Sequence, residues 1–262
     1  MTVSTMGLAT ERRLPPRVIV PRYRGIRWLD RLVIRWLLRL EVEGLDRLPA
    51  APFVLACNHH NGIDPLVVMA AAPVAPGITW FGPREDCSTG FARVLVRFLA
   101  CFVPFTARRG SLRAATETVG RVIARGGVVG IFPEGRIAFR ETALQRTNPG
   151  AAAFAIAHCV PVVPCAVIGT SALWRGRRVT VRFGSPLAPA AGDAAGATGQ
   201  LQQRIERALL ALLPTTESVL ERAPSPWLTD ILNGPDDVVR RRRVLGGWRD
   251  AVQWAPAAGA AA

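Results

Sequence analysis

The chain contains no lysine: its 33 basic residues are all arginine, set against 19 acidic ones, for a formal net charge of +14. A wholly arginine-based excess fits an anionic partner such as phosphate, nucleic acid or an acidic bilayer, and it also fits a GC-rich coding sequence. Aromatics are few, with one tyrosine, and they do not interleave with the basic residues as they do in single-strand nucleic-acid binders, so no nucleic-acid partner is expected. The five cysteines (Cys57, Cys87, Cys101, Cys159 and Cys165) form neither CxxC spacings nor paired clusters. Together with the lack of an apolar leader and cleavage site at the N-terminus, that leads to the expectation of a reduced, cytoplasmic protein. No G-x-S-x-G elbow is present, which counts against a serine hydrolase. Long uncharged runs are interrupted: Pro65 to Pro83 and Thr147 to Trp174 have the length of a membrane span, but prolines and glycines break both. They read as buried helix-loop-strand units.

What is present is one sizeable domain's worth of apolar sequence, 262 residues of which half are hydrophobic. Trp28, Leu29, Leu32, Val33, Trp36, Leu37 and Leu40 recur at helical spacing, while Arg27, Arg31, Arg35 and Arg39 step by four beside them. This predicts an amphipathic helix that either docks on the core with its arginines solvated or lies on a membrane surface. From Phe53 strands alternate with helices. The strand PFVLAC runs into NHHNGID and a helix opened by Pro65; a helix capped by Ser111 precedes the strand GGVVGIF. A helix from Gly150, strands over Val160 to Val167 and Arg178 to Phe183, and a helix over Leu201 to Leu213 complete the pattern. The expected fold class is α/β, a mixed, mainly parallel sheet flanked by helices with reactive loops at strand ends. The expected division is a basic N-terminal segment and membrane-contact helix over 1–48, a main domain over 49–215 and a partly disordered extension over 216–262.

Four groups of residues carry candidate chemistry. His59 lies five residues before Asp64 in a polar island; a carboxylate at Nδ1 fixes the tautomer and leaves Nε2 to take a proton from a hydroxyl. By itself a His-x4-Asp pair also occurs without chemistry. Phe132-Pro133-Glu134-Gly135-Arg136 ends a strand: Gly135 permits backbone angles closed to other residues, Arg136 offers a fork for phosphate and Glu134 an acceptor for a polyol, or the segment is a plain turn with a surface ion pair. Arg108-Arg109 precede a helix, where guanidinium groups and free N–H groups favour the same anion, or they form a solvated pair. Val160-Pro161-Val162-Val163-Pro164 is apolar, either the wall of an alkyl channel or core.

Taken in order, Asn58-His59-x4-Asp64, Arg108-Arg109-Gly110, Phe132 to Arg136 and Val160 to Pro164 resemble the four blocks of the PlsC-like glycerolipid acyltransferases, over about Phe53 to Leu187. The resemblance implies that His59 is a general base oriented by Asp64, and that it deprotonates the hydroxyl of a lysophospholipid such as 1-acylglycerol-3-phosphate. That hydroxyl attacks an acyl thioester of coenzyme A or acyl carrier protein. It further implies that Arg109 or Arg108 binds the acceptor phosphate, that Glu134, Gly135 and Arg136 hold the glycerol phosphate, and that Pro161 lies in a block shaping the acyl or acceptor site. No metal or bound cofactor is implied. The amphipathic helix is then the contact with an anionic membrane, on its cytoplasmic face. Two positions depart from the family pattern: Asn61 stands where Ser or Thr is frequent, and Gly135 runs directly into Arg136 without an intervening Thr. Both bear on which lipid is the acceptor.

Overall fold

A computed structural model describes residues 21–83, 101–106, 109–138, 140–189, 194–217 and 225. Arg108, the Arg240 to Arg243 run and the tail after Gln253 lie outside the described residues. The elements are helix α1 (Pro21–Leu37), strand β1 (Leu38–Glu43), a single 3₁₀ turn (Leu45–Arg47), β2 (Phe53–Cys57), α2 (Asp64–Ala71), β3 (Ile78–Pro83) and β4 (Phe102–Phe105). There follow α3 (Arg109–Ala124), β5 (Val128–Ile131), α4 (Gly150–Ala157), β6 (Val162–Ile168), β7 (Arg177–Phe183) and α5 (Ala194–Leu212). The two uncharged runs resolve into α2 with β3 and α4 with β6. Among the described residues, no helix is long and apolar enough to cross a membrane.

The seven strands form one sheet in the order β1-β7-β6-β2-β5-β3-β4, parallel throughout except where β6 meets β7. The mixed, mainly parallel sheet flanked by helices is therefore the fold. β2 is buried at every position because strands and helices cover it on all sides, which is why it reads as a continuous apolar run. Its side chains alternate between two cores: Phe53, Leu55 and Cys57 join the layer of Val67, Val68 and Ile34, and Val54 and Ala56 join that of Val119, Ile123, Phe154, Leu201, Ile205 and Leu209.

Two expectations need revision. The boundary between 48 and 49 cuts through the fold, because β1 is an integral strand paired with β7 from Leu38↔Arg177 to Glu43↔Arg182. Of the two alternatives for α1, docking of the tryptophan stripe on the core with every arginine solvated is not the one observed: Trp28 is 66% exposed and Trp36 64%, while Arg27 is fully buried and Arg35 and Arg39 are exposed. The cause is the free end of α2. Arg27 Nη2 donates to the carbonyls of Ala72 and Pro73 at 3.0 and 3.2 Å. Arg31 donates from Nε to Ala70 O at 3.0 Å and from Nη2 to Ala72 O at 2.8 Å. A helix leaves its last carbonyls without intrahelical partners, and here two guanidinium groups supply them.

Candidate active site

Because β2, β5, β6, β3 and β4 run parallel, their C-terminal ends share one edge of the sheet, the edge at which ligands bind in open α/β folds. The NHHNGID loop leaves β2 there. Asn58 extends the β2–β6 ladder with its side chain: Oδ1 accepts the N–H of Val167 at 2.7 Å and Nδ2 donates to Val167 O at 3.0 Å. Asn61 does similar work one turn on, donating from Nδ2 to Thr170 O at 3.0 Å and accepting the Ile63 N–H at 3.2 Å. With both asparagines anchored, Asp64 opens α2, followed by Pro65 in the first turn.

His59 Nδ1 lies 2.9 Å from Asp64 Oδ2. The same oxygen accepts the backbone N–H groups of His60 at 2.6 Å and Asn61 at 2.8 Å. Burial drives the Asp64 carboxyl toward protonation, but the hydrogen bond and charge of His59 and the charge of His60 more than offset it, holding the group below the ordinary carboxylate range. Asp64 is fully buried, whereas the His59 side chain keeps 14% of its surface exposed. No hydrogen bond within the described residues engages His59 Nε2. A ring nitrogen is thereby left at the surface, backed by a buried negative charge that favours Nδ1–H.

His60 is turned the other way and is fully buried. Its Nε2 lies 3.0 Å from Arg140 O, and its Nδ1 lies 3.1 Å from Asn58 Nδ2 and 3.2 Å from Val167 O. The neighbouring histidine is thus a clamp between β2, β6 and the loop near Arg140.

Glu134 sits at the end of β5, nearly fully buried. Its Oε1 accepts the His59 backbone N–H at 3.0 Å and Oε2 accepts the Gln145 N–H at 2.9 Å. Burial raises its pKa above the ordinary value, and those two backbone hydrogen bonds offset the rise only in part. Both carboxylate oxygens therefore hold protein backbone, so the structure places Glu134 behind the dyad as a brace. Gly135 has φ of +63°, and a Cβ there would come within 3.0 Å of Asn148 Nδ2. This glycine makes a tight turn, closed by its N–H to Phe132 O at 3.0 Å, which presents the exposed Arg136 at the same edge as His59.

Arg109 is the first residue of α3, immediately after β4, so the N-terminus of that helix also opens at the reactive edge. β4 stands three strand spacings from β2, about 14 Å. Pro161 is elsewhere. It precedes β6, and its carbonyl accepts the Val54 N–H at 2.9 Å at the start of β2. Strand rise puts it about 20 Å from His59, at the opposite edge of the sheet. Pro161, expected in a block that shapes the acyl or acceptor site, does not sit beside His59: β2 and β6 are parallel, so the beginning of one cannot meet the end of the other. An apolar cavity of about 350 Å³, bounded by Leu45, Leu48, Phe53, Ile78 and Val128, likewise opens beside the first residues of β2, β3 and β5, away from the dyad.

Sequence reasoning quoted Asn58 and Asn61 in or beside the histidine motif without seeing that their side chains anchor the loop to Val167 and Thr170. The sequence signal for both asparagines is that NHHNGID is a polar island abutting a strand buried at every position.

The fold and the site together define an α/β protein in which an accessible histidine is backed by a buried carboxylate at the C-terminal edge of a mainly parallel sheet. The Acyltransferase family model matches residues 39–168, a stretch that holds the dyad and each of the other motif residues. The chain is 26% identical over 148 residues to a protein of Mycoplasma genitalium named probable 1-acyl-sn-glycerol-3-phosphate acyltransferase, covering 53% of this chain and 54% of that one. It thus spans about half the length of that curated relative. The crystal structure of PlsC, the 1-acyl-sn-glycerophosphate (LPA) acyltransferase of Thermotoga maritima, superimposes with a TM-score of 0.56 at 20% identity, over 72% of this chain and 79% of that one. This likeness is one of fold. Residues 39–168 thus form a domain of the acyltransferase family, and the sheet built around them shares the fold of PlsC.

Proposed function

We propose that the protein transfers an acyl group from a thioester of coenzyme A or acyl carrier protein to the hydroxyl of a lysophospholipid, with 1-acylglycerol-3-phosphate as the leading acceptor. The observation that carries the reading is the dyad: Nδ1 of His59 on a buried carboxylate that is held ionised, and Nε2 with no hydrogen-bond partner among the described residues. Nε2 takes the proton as the acceptor oxygen attacks the thioester carbonyl. Asp64 stabilises the imidazolium that results, and collapse of the tetrahedral intermediate expels the thiolate, which recovers that proton. The acyl thioester is a co-substrate, and the reaction as written uses no metal or bound cofactor.

Arg136 and the N-terminus of α3 with Arg109 or Arg108 are the anion sites of this reading. Helix N–H groups and guanidinium forks both select phosphate, and both elements open at the edge that carries His59. Glu134 and Gly135 act on the glycerol phosphate indirectly, by setting the turn that aims Arg136. The outer face of α1 is the membrane contact, on the cytoplasmic side: Trp28, Leu29, Leu32, Val33 and Trp36 are exposed, and Arg175 stacks on Trp36 at 4.5 Å. An acceptor that resides in a bilayer calls for such a face.

The test is incubation of purified protein with labelled acyl-CoA, and separately acyl carrier protein, against a panel of lysophospholipids including lysophosphatidate, with His59→Ala as control. Thiol release coupled to lipid product, lost in the control, is the expected result. Activity retained by His59→Ala would remove the base from the mechanism.

A further inference from the structure

Asp64 holds the imidazole of His59 at one atom only. A ring fixed at Nδ1 still tilts about the Nδ1···Oδ2 axis, and that tilt moves Nε2, the atom that must meet the acceptor hydroxyl. No other hydrogen bond among the described residues restrains it. The restraint comes from a column of aromatic rings. Phe132 stacks on His59 with centroids 4.1 Å apart and planes 20° from parallel, and Trp80 stacks on the far face of the pair, 4.8 Å from Phe132 at 5°. The three rings come from three strands: Trp80 from within β3, Phe132 from the residue after β5, and His59 from the loop after β2.

The base of the column is a glycine. Trp80 and Gly130 are direct partners across β3 and β5, and a Cβ on Gly130 would fall 2.6, 2.7 and 2.9 Å from ring atoms of Trp80. Only a bare backbone leaves room for the indole to lie flat there. Trp80 is itself 3% exposed, so the displaced ring has nowhere to retreat. Aromatic stacking adds to simple burial and also prefers defined offsets, so the column sets a plane as well as filling space.

We propose that Phe132 is a positioning residue for His59, with Trp80 seated on Gly130 as its support, so that carboxylate and aromatic face together define where Nε2 stands. This rests on the reading of His59 as the general base.

Phe132→Leu keeps an apolar side chain but removes the flat face. It lowers kcat by roughly 10- to 100-fold, the cost of about 1 Å of misplacement, with the KM values for donor and acceptor within about twofold of wild type. Phe132→Tyr restores kcat to within about threefold, which a merely space-filling role would not require. Gly130→Ala never touches His59, yet reproduces the loss through Trp80, and in a Trp80→Leu background it adds no further loss, because the ring it displaces is gone. In the unliganded protein, carbon-bound His59 ring protons show ring-current shifts from Phe132 in the NMR spectrum. These shifts vanish in Phe132→Leu, change in Gly130→Ala and persist in Phe132→Tyr. Unfolding curves on each variant identify any that fail to fold, and Phe132→Tyr and Gly130→Ala then carry the test. Full kcat in Phe132→Leu while His59→Ala is dead would overturn the proposal alone, as would His59 resonances that do not respond to Phe132→Leu. An active His59→Ala would overturn the general-base reading and the proposal with it.

Discussion

Asp64→Asn tests the dyad with the smallest change of shape. Oδ2 of Asp64 serves His59 Nδ1 and two backbone N–H groups at 2.9, 2.6 and 2.8 Å, and an amide oxygen can keep all three. What the substitution removes is the negative charge that stabilises the imidazolium. With charge centres about 4 Å apart and an effective dielectric near 20, that attraction is about 4 kcal/mol. The asparagine dipole retains part of it, so the loss in kcat is roughly 10²- to 10³-fold at about 1.4 kcal/mol per decade. The KM for the acyl donor stays near its wild-type value, since Asp64 is fully buried and touches no substrate. The assay is thiol release from acyl-CoA at saturating lysophosphatidate, with circular dichroism and thermal unfolding to show that the fold is intact. Because Asp64 titrates below the ordinary range, mild acidification of the wild type does not mimic the variant. A folded Asp64→Asn protein that kept more than about a tenth of wild-type kcat would refute the claim that this charge supports the base.

Glu134→Gln leaves a backbone N–H of either His59 or Gln145 facing an amide donor, so it destabilises the protein by about 1–3 kcal/mol in urea unfolding. A variant of unchanged stability with only a raised acceptor KM would return Glu134 to the role of ligand. Asp30, raised to about 7 by burial despite Arg27 and Arg31, holds in the folded state a proton that the unfolded chain, at 3.8, has released. Its contribution to stability is thus fully present near pH 4 and below, and is lost as the pH climbs through 7; Asp30→Asn should be neutral near pH 4 and up to about 4 kcal/mol more stable than wild type at pH 8. A pH-independent difference would show that Asp30 does not titrate this way. Replacing Trp28 and Trp36, both exposed, by Ser weakens sedimentation with anionic vesicles while leaving turnover of a detergent-dispersed acceptor intact, and unchanged sedimentation would move the membrane contact away from α1. Arg109→Ala raises the KM for a phosphorylated acceptor more than that for the acyl donor; equal effects would remove it from the phosphate site.

The pairing of His59 with Asp64 was legible in the local sequence. His59 and Asp64 lie in one short loop between a buried strand and a helix opened by Pro65, so their meeting needs only local turn geometry. The fold class was legible too, through strands that alternate with amphipathic helices. Local pattern was a poorer guide at the edges of the sheet: β1 continues the spacing of α1 through Arg39 and Leu40, and only pairing with β7 turns those residues into a strand. β4 includes Pro104, which an edge strand tolerates because, among the described residues, one side of its ladder is unpaired. Which stripe of α1 faces inward was likewise undecided by periodicity. The bare carbonyls at the end of α2 settled it by burying Arg27.

What surrounds that pair depends on long-range packing. Glu134 reaches the His59 backbone across 75 residues and Asn58 meets Val167 across 109, and no sequence period encodes such distances. Parallel register placed Pro161 at the far edge although it lies in a motif with the others, and direct opposition of Trp80 and Gly130 built the stack beneath His59. The reason is physical. A loop fixes its own hydrogen bonds, but the partners on neighbouring strands are set by sheet order and register, which depend on how the whole chain buries its two apolar layers.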